Sequence, residues 1–150
     1  MEPDTGRAGD DYASYRILVD LWAAENPVKT AKLLALLVVH ALLIVAMTLG
    51  GGLVPRNWPV CLAGVAFSLV FVLSLGRTLL FQEAWRLKIR ALASRYIGEE
   101  RFQVLETAEA QRDAPPLLRI LGGIPSVYYL LGAPLLLLAS WLVALVLLLS

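Results

Sequence analysis

Three long blocks of apolar residues stand out along the chain. Residues 33–49 contain one strongly polar residue, His40, while residues 58–76 and 127–149 contain no charged residue. A helix needs about 20 apolar residues to cross the roughly 30 Å hydrocarbon core of a bilayer, and each block reaches that length with its flanks. The pattern predicts three transmembrane helices, at about 29–51, 58–79 and 126–149.

The composition of the 150 residues agrees with an all-α integral membrane protein. Hydrophobic residues make up 59% and charged residues 17%, which is less charge than a soluble domain carries, and the mean hydropathy is +0.71. The N-terminus is acidic, and the first apolar block begins only at Leu33. A signal peptide needs a basic start and an early apolar core. We therefore expect the first helix to stay in the mature protein.

Positive charge is distributed unevenly around the predicted spans. Of the thirteen Lys and Arg residues, four precede the first apolar block, one (Arg56) lies in the first loop, and eight lie between Arg77 and Arg119. Because Lys and Arg mark the cytoplasmic side, the N-terminus and the segment between spans two and three are predicted to be cytoplasmic and the C-terminus periplasmic. Arg outnumbers Lys, which fits a GC-rich bacterium.

An amphipathic helix is predicted ahead of the first span. Residues 1–9 are small and polar and are predicted to be a disordered tail. Residues 10–25 are predicted to be helical, because Tyr15, Val19 and Trp22 recur at helical spacing. This helix would lie in the headgroup layer, where Tyr and Trp are favoured, or would pack on a neighbouring subunit.

The second span is predicted to continue into the cytoplasm, within a helical segment over 80–112. Five apolar residues recur there at steps of four, four, three and four, a stripe typical of one side of an amphipathic helix. They are Phe81, Trp85, Ile89, Leu92 and Tyr96. The stripe contacts either the chain's own helices or another subunit, so its residues are candidates for an oligomer interface. Residues 99–113 are predicted to form a second cytoplasmic helix that ends before Pro115 and Pro116.

A polar junction precedes the first span. Asn26 is a good N-cap and Pro27 is favoured in the first turn of a helix. One helix is therefore predicted to end, and another to begin, at this point. Lys29 and Lys32 would reach the headgroups and anchor the span, and Glu25 can pair with Lys29.

His40 is the one ionisable side chain in the middle of a predicted span. The short connection after the first span predicts an antiparallel hairpin, and counting from it places His40 and Ser68 at a similar depth. The Ser68 hydroxyl would then bind a neutral, structural His40. The alternative is a proton-sensing or conducting site, because ionisable groups inside a membrane are functional candidates. A catalytic pair is disfavoured because no third partner is visible.

The sequence contains no motif that indicates a class of enzyme. The chain has no Walker-type loop, no dinucleotide-binding glycine pattern and no metal-ligand cluster, so we expect no cofactor and no metal. The single cysteine, Cys61, lies in the second apolar block and is expected to be a small buried residue. Membrane lipids and further copies of the chain are the expected partners. Nucleic acid is not expected, because acidic residues dilute the basic ones between spans two and three.

Residues 12–37, YASYRILVDLWAAENPVKTAKLLALL, carry a family resemblance. A helix with aromatic residues and Arg, then Leu-Trp, then E-N-P-x-K-T-x-K-L opening a span, resembles the RipA-type small bacterial inner-membrane proteins over about residues 12–45. The match rests on Glu25, Asn26, Pro27, Lys29, Thr30 and Lys32. The resemblance implies a multimeric cytoplasmic-membrane protein, linked in some bacteria to growth inside host cells, whose biochemical activity is unsettled.

Three functional hypotheses follow from the sequence. The first is a non-enzymatic, homo-oligomeric inner-membrane protein that forms a pore or responds to pH. The second is an accessory or assembly subunit of a larger membrane complex, in which the stripe would meet a different protein. The third is a membrane enzyme acting on lipid, which no motif favours.

Overall fold

The chain is a set of long helices. The computed structural model describes residues 5–104, 112 and 114–150, and the regular structure in these residues is entirely helical. The elements are α1 (Thr5–Leu49), α2 (Trp58–Ala93), α3 (Pro116–Gly122) and α4 (Ser126–Leu149), with 3-10 turns at Pro55–Asn57 and Glu100–Phe102. Among the described residues, three helices, α1, α2 and α4, are long and apolar enough to cross a membrane. They cover the three predicted spans except for residues 50 and 51, because α1 ends at Leu49, and they indicate a multi-pass membrane protein.

The helices are divided between two compact units. Unit 1 comprises Met1–Asn26 and Leu80–Pro125, and unit 2 comprises Pro27–Leu79 and Ser126–Ser150. Unit 2 holds almost all of the predicted transmembrane segments. Unit 1 holds the N-terminal segment and the residues between spans two and three.

The first helix differs from the prediction at two places. It begins at Thr5, so residues 5–9 are helical and not a disordered tail, while residues 1–4 lie outside the described residues. A helix that is already nucleated gains one hydrogen bond for each residue added, which favours this extension. The helix also continues through Asn26 and Pro27 to Leu49, where the sequence predicted that one helix ends and another begins.

A side chain from α2 contacts α1 close to Pro27. In unit 1, Gln82 Nε2 donates to the Trp22 carbonyl at 3.4 Å and to Asn26 Oδ1 at 3.2 Å. Asn26 therefore binds Gln82 across the helix pair, whereas the sequence suggested an N-cap. Because proline lacks an N–H, it leaves the Ala23 carbonyl without its helical donor. The contact with Gln82 thus joins α1 to α2 beside the proline and does not replace that bond.

The turn between α1 and α2 is tight and depends on glycine. Gly51 and Gly52 have φ values of +94° and +81°, a region that glycine adopts without strain. Asn57 Nδ2 donates to the Gly52 carbonyl at 2.7 Å, and Arg56 donates to the Gly50 carbonyl at 2.7 Å. These bonds close the turn and set α1 and α2 antiparallel in unit 2, as the short connection predicted.

The second helix continues past its predicted span, but only to Ala93. The prediction of a helical segment over 80–112 is therefore right for residues 80–93 and wrong for residues 94–104. Those residues form turns and the 3-10 turn Glu100–Phe102, with Gly98 at a φ of +92°. Most of the helix predicted over 99–113 lies outside the described residues. A short helix, α3, begins at Pro116, where the sequence predicted only an end.

An aromatic cluster forms the core of unit 1. Tyr15 of α1, Ile89 of α2 and Phe102 of the 3-10 turn are buried together. The Tyr96 ring stacks on Phe102 with centroids 4.4 Å apart, and the Tyr15 ring meets Phe102 edge-on at 5.2 Å. The Tyr96 hydroxyl also donates to Asp11 Oδ2 at 2.7 Å. Aromatic pairs in these geometries add to the stabilisation from apolar burial, so they hold the segment after Ala93 against α1.

Candidate functional site

His40 and Ser68 form the polar centre of unit 2. Nε2 of His40 lies 2.9 Å from Ser68 Oγ, and Nδ1 lies 2.8 Å from the carbonyl oxygen of Leu36. His40 is only 2% exposed and Ser68 is fully buried. The predicted contact between these two side chains is therefore present in the structure.

The hydrogen bonds assign the form of the neutral imidazole. A carbonyl oxygen only accepts, so Nδ1 carries the proton and donates to Leu36. Nε2 then accepts from the Ser68 hydroxyl. A protonated ring would instead donate from both nitrogens, and Ser68 Oγ would accept. Reorientation of one hydroxyl hydrogen is therefore enough to keep both contacts in either protonation state.

Trp141 of α4 covers this pair. Its ring centroid lies 6.3 Å from that of His40, and it belongs to a buried cluster with Cys61 and Leu148. A side chain at position 64 would overlap the indole, so the absence of one at Gly64 makes room for it. Trp141 is therefore part of the interior packing of unit 2. Cys61 is buried, as expected.

Lys32 forms a second polar link between α1 and α2. Its Nζ donates to Thr78 Oγ1 at 2.6 Å and to the Ser74 carbonyl at 3.1 Å. The amine thus binds within the helix hairpin, a contact that the sequence did not predict, and its role as a headgroup anchor stays a prediction. Thr78 is buried, and its hydroxyl is also 3.2 Å from the Ser74 carbonyl, which makes this end of the hairpin well bonded. Sequence reasoning missed the contact because lysine near a span end is usually a headgroup anchor.

The other residues of the junction have varied surroundings. Glu25 and Lys29 are half-buried, and Thr30 is exposed. The suggested pairing of Glu25 with Lys29 and the anchoring role of Lys29 stay predictions. Pro27 lies inside α1.

Unit 2 is basic and has no carboxylate side chain. It contains Lys29, Lys32, Arg56 and Arg77 and no Asp or Glu. A serine–histidine hydrolase uses a carboxylate to orient the histidine, whereas here a backbone carbonyl holds His40 Nδ1. The arrangement is suited to joining α1 and α2. It does not reproduce a nucleophile with its base and orienting acid.

The predicted interface stripe on α2 is divided between core and surface. Ile89 is 2% exposed, and it packs with Tyr15 and Phe102 of the same chain. Leu92 and Tyr96 pack against that cluster. Ile89 is therefore wrong as an interface candidate, because its side chain is already covered within unit 1. Leu92 and Tyr96 are half-buried, and their role as interface candidates stays a prediction. Trp85 is half-buried and Phe81 is exposed.

Sequence reasoning missed a second apolar face on the same part of α2. Leu80, Ala84, Leu87 and Ala91 follow one another at steps of four, three and four residues, and all four are exposed. The signal is present in the sequence, but the larger aromatic residues of the predicted stripe obscured it. We call these four residues the outer face.

Comparison of the chain with known protein families, curated proteins and solved structures finds no match. The arguments about function therefore rest on the chain's own residues.

Proposed function

We propose that this chain is a non-enzymatic, homo-oligomeric protein of the bacterial inner membrane. Its N-terminus and unit 1 would be cytoplasmic and its C-terminus periplasmic, in accordance with the distribution of Lys and Arg. One observation carries the proposal. Where α2 continues past the predicted span, Leu80 is 71% exposed and Leu87 is 57% exposed.

Lipid does not account for the exposure of Leu87. Leu87 lies eight residues beyond position 79, where the span is predicted to end, and a helix rises 1.5 Å per residue, so its side chain would be about 12 Å outside the hydrocarbon. Burying a leucine side chain is worth about 1.5–3 kcal/mol. A protein partner on this surface would recover that energy, and the resemblance to RipA-type proteins favours further copies of the chain.

The mass of the purified protein tests the proposal. Light scattering in mild detergent, with the detergent contribution subtracted, should give a single species of several 16.4 kDa chains and no other protein. A monomer would contradict self-association. A species that retains a foreign protein would favour the alternative of an accessory subunit in a larger membrane complex.

A response to pH is a second candidate function, and the buried His40 is the observation that favours it. Histidine is the side chain whose ordinary titration falls between pH 5 and 8. The test compares flux across vesicles, or the assembly state, at about pH 5 and pH 8. A change that occurs in the wild type and disappears in His40→Gln would support the candidate. An equal response in both proteins would contradict it.

A further inference from the structure

The outer face has the spacing of a helix that packs on another helix. Leu80 and Leu87 are one heptad apart, and Ala84 and Ala91 occupy the alternate positions between and after them. Assigned to a heptad, the leucines fall at d and the alanines at a. Leucine at d fills the space between two helices, and alanine at a lets their backbones approach.

Charged residues flank the outer face on both sides. With the leucines at d, Glu83 occupies a g position and Lys88 an e position. In a parallel coiled coil, a g residue faces the e residue five positions later on the other helix. Glu83 and Lys88 are five positions apart and opposite in charge. Glu83 accepts from Arg86 of its own chain, in a bridge whose side chains are about half exposed and therefore weakly bound.

We propose that the outer face binds the same face of a second copy of this chain, with the two α2 helices parallel and in register. Glu83 of each copy would pair with Lys88 of the other. The inference rests on the self-association proposed above and specifies which surface makes it. Copies inserted with one topology have parallel α2 helices, as the pairing requires.

The side of α2 opposite the outer face cannot bind a second copy in this way. It carries Ile89, which is buried with Tyr15 and Phe102 inside unit 1. Between Leu80 and Ala93, the outer face is thus the apolar stripe on the side of α2 away from this core, and Phe81, between the two sides, is also exposed.

Cysteine crosslinking in native membranes tests the register. Leu87→Cys in a Cys61→Ser background should form a disulfide-linked dimer on mild oxidation, because equivalent d residues meet at the axis of a parallel pair. Ile97→Cys in the same background is the matched control. Ile97 is 90% exposed but lies beyond the end of α2. Equal crosslinking of the two variants, or none in Leu87→Cys, would overturn the proposed contact.

A charge exchange tests the pairing without replacing Cys61. Glu83→Lys and Lys88→Glu should each weaken self-association by about tenfold, because a symmetric dimer contains the pair twice. The double variant Glu83→Lys/Lys88→Glu should recover wild-type association. A double variant as weak as either single variant would overturn the pairing.

The mass of the wild-type protein distinguishes failure of the proposed self-association from failure of the proposed outer-face contact. An oligomeric wild type with no crosslink and no recovery would refute the outer-face contact and leave self-association standing. A monomeric wild type would refute both.

Discussion

The indole of Trp141 lies against the backbone of Gly64, in space that any larger side chain at position 64 would occupy. This contact joins α4 to α2 inside unit 2 and places the indole beside His40. Small residues let membrane helices approach closely. Here the small residue also admits the largest side chain of the opposing helix.

Gly64→Ala should destabilise the protein by about 1–3 kcal/mol, since the added methyl group forces the indole from its position. Unfolding in detergent, followed by tryptophan fluorescence, measures the change. Gly132→Ala is the matched control, because a methyl group there meets nothing within 4 Å. Equal losses for the two variants would show that Trp141 does not depend on the space at Gly64.

The bond between His40 and Ser68 should contribute modestly to stability. Polar contacts between membrane helices couple by about 0.6 kcal/mol on average and by at most about 1.7 kcal/mol. A double-mutant cycle with His40→Leu and Ser68→Ala isolates this coupling energy from the cost of each substitution. A coupling of zero would mean that the 2.9 Å contact adds nothing to folding.

Thr78→Val should cost about 1 kcal/mol, because it removes a buried hydroxyl that accepts from Lys32. Thr48→Val makes the same chemical change at an exposed site, where the hydroxyl bonds only within its own helix, to the Ile44 carbonyl. We expect that variant to lose much less stability. Comparison of the two denaturation midpoints checks the prediction, and a reversed order would contradict the role given to Lys32.

Ile89→Ala should destabilise unit 1 by about 2–5 kcal/mol, the usual range for truncating a buried isoleucine. Ile17→Ala, on the exposed surface of α1, should change stability little. Thermal unfolding and limited proteolysis of both variants test this. An Ile89→Ala protein that remains fully stable but loses assembly would restore Ile89 as an interface residue.

The contact between His40 and Ser68 could be predicted because it depends on local features. Two apolar blocks joined by a glycine-rich turn must form a hairpin, and residues equally distant from the turn then lie at one depth. The same reasoning did not predict the hydrogen bond between Lys32 and Thr78. A lysine at the end of a span has two good solutions, outward to headgroups or inward to a partner helix. Only the rotation of α1 against α2 selects one of them.

The continuous course of α1 shows a similar limit. Asn26 and Pro27 have the local preferences of a helix start, and the sequence alone favours a break. The structure nevertheless keeps α1 helical through both residues, and Gln82 of α2 binds Asn26, so this side chain contacts a neighbouring helix where the sequence predicted a cap.

By itself, the sequence determined the all-helical class, the three apolar helices and the hairpin, because those follow from the length and periodicity of apolar residues. The tertiary structure decided which face of each helix is covered. Ile89 became core and the outer face stayed exposed, although both are apolar and both have helical spacing. Periodicity shows that a helix has an apolar side. Which of two such sides becomes buried depends on the shape of the residues that pack against them. Here those residues are Phe102, which follows soon after α2, and Tyr15, which lies far away along the chain.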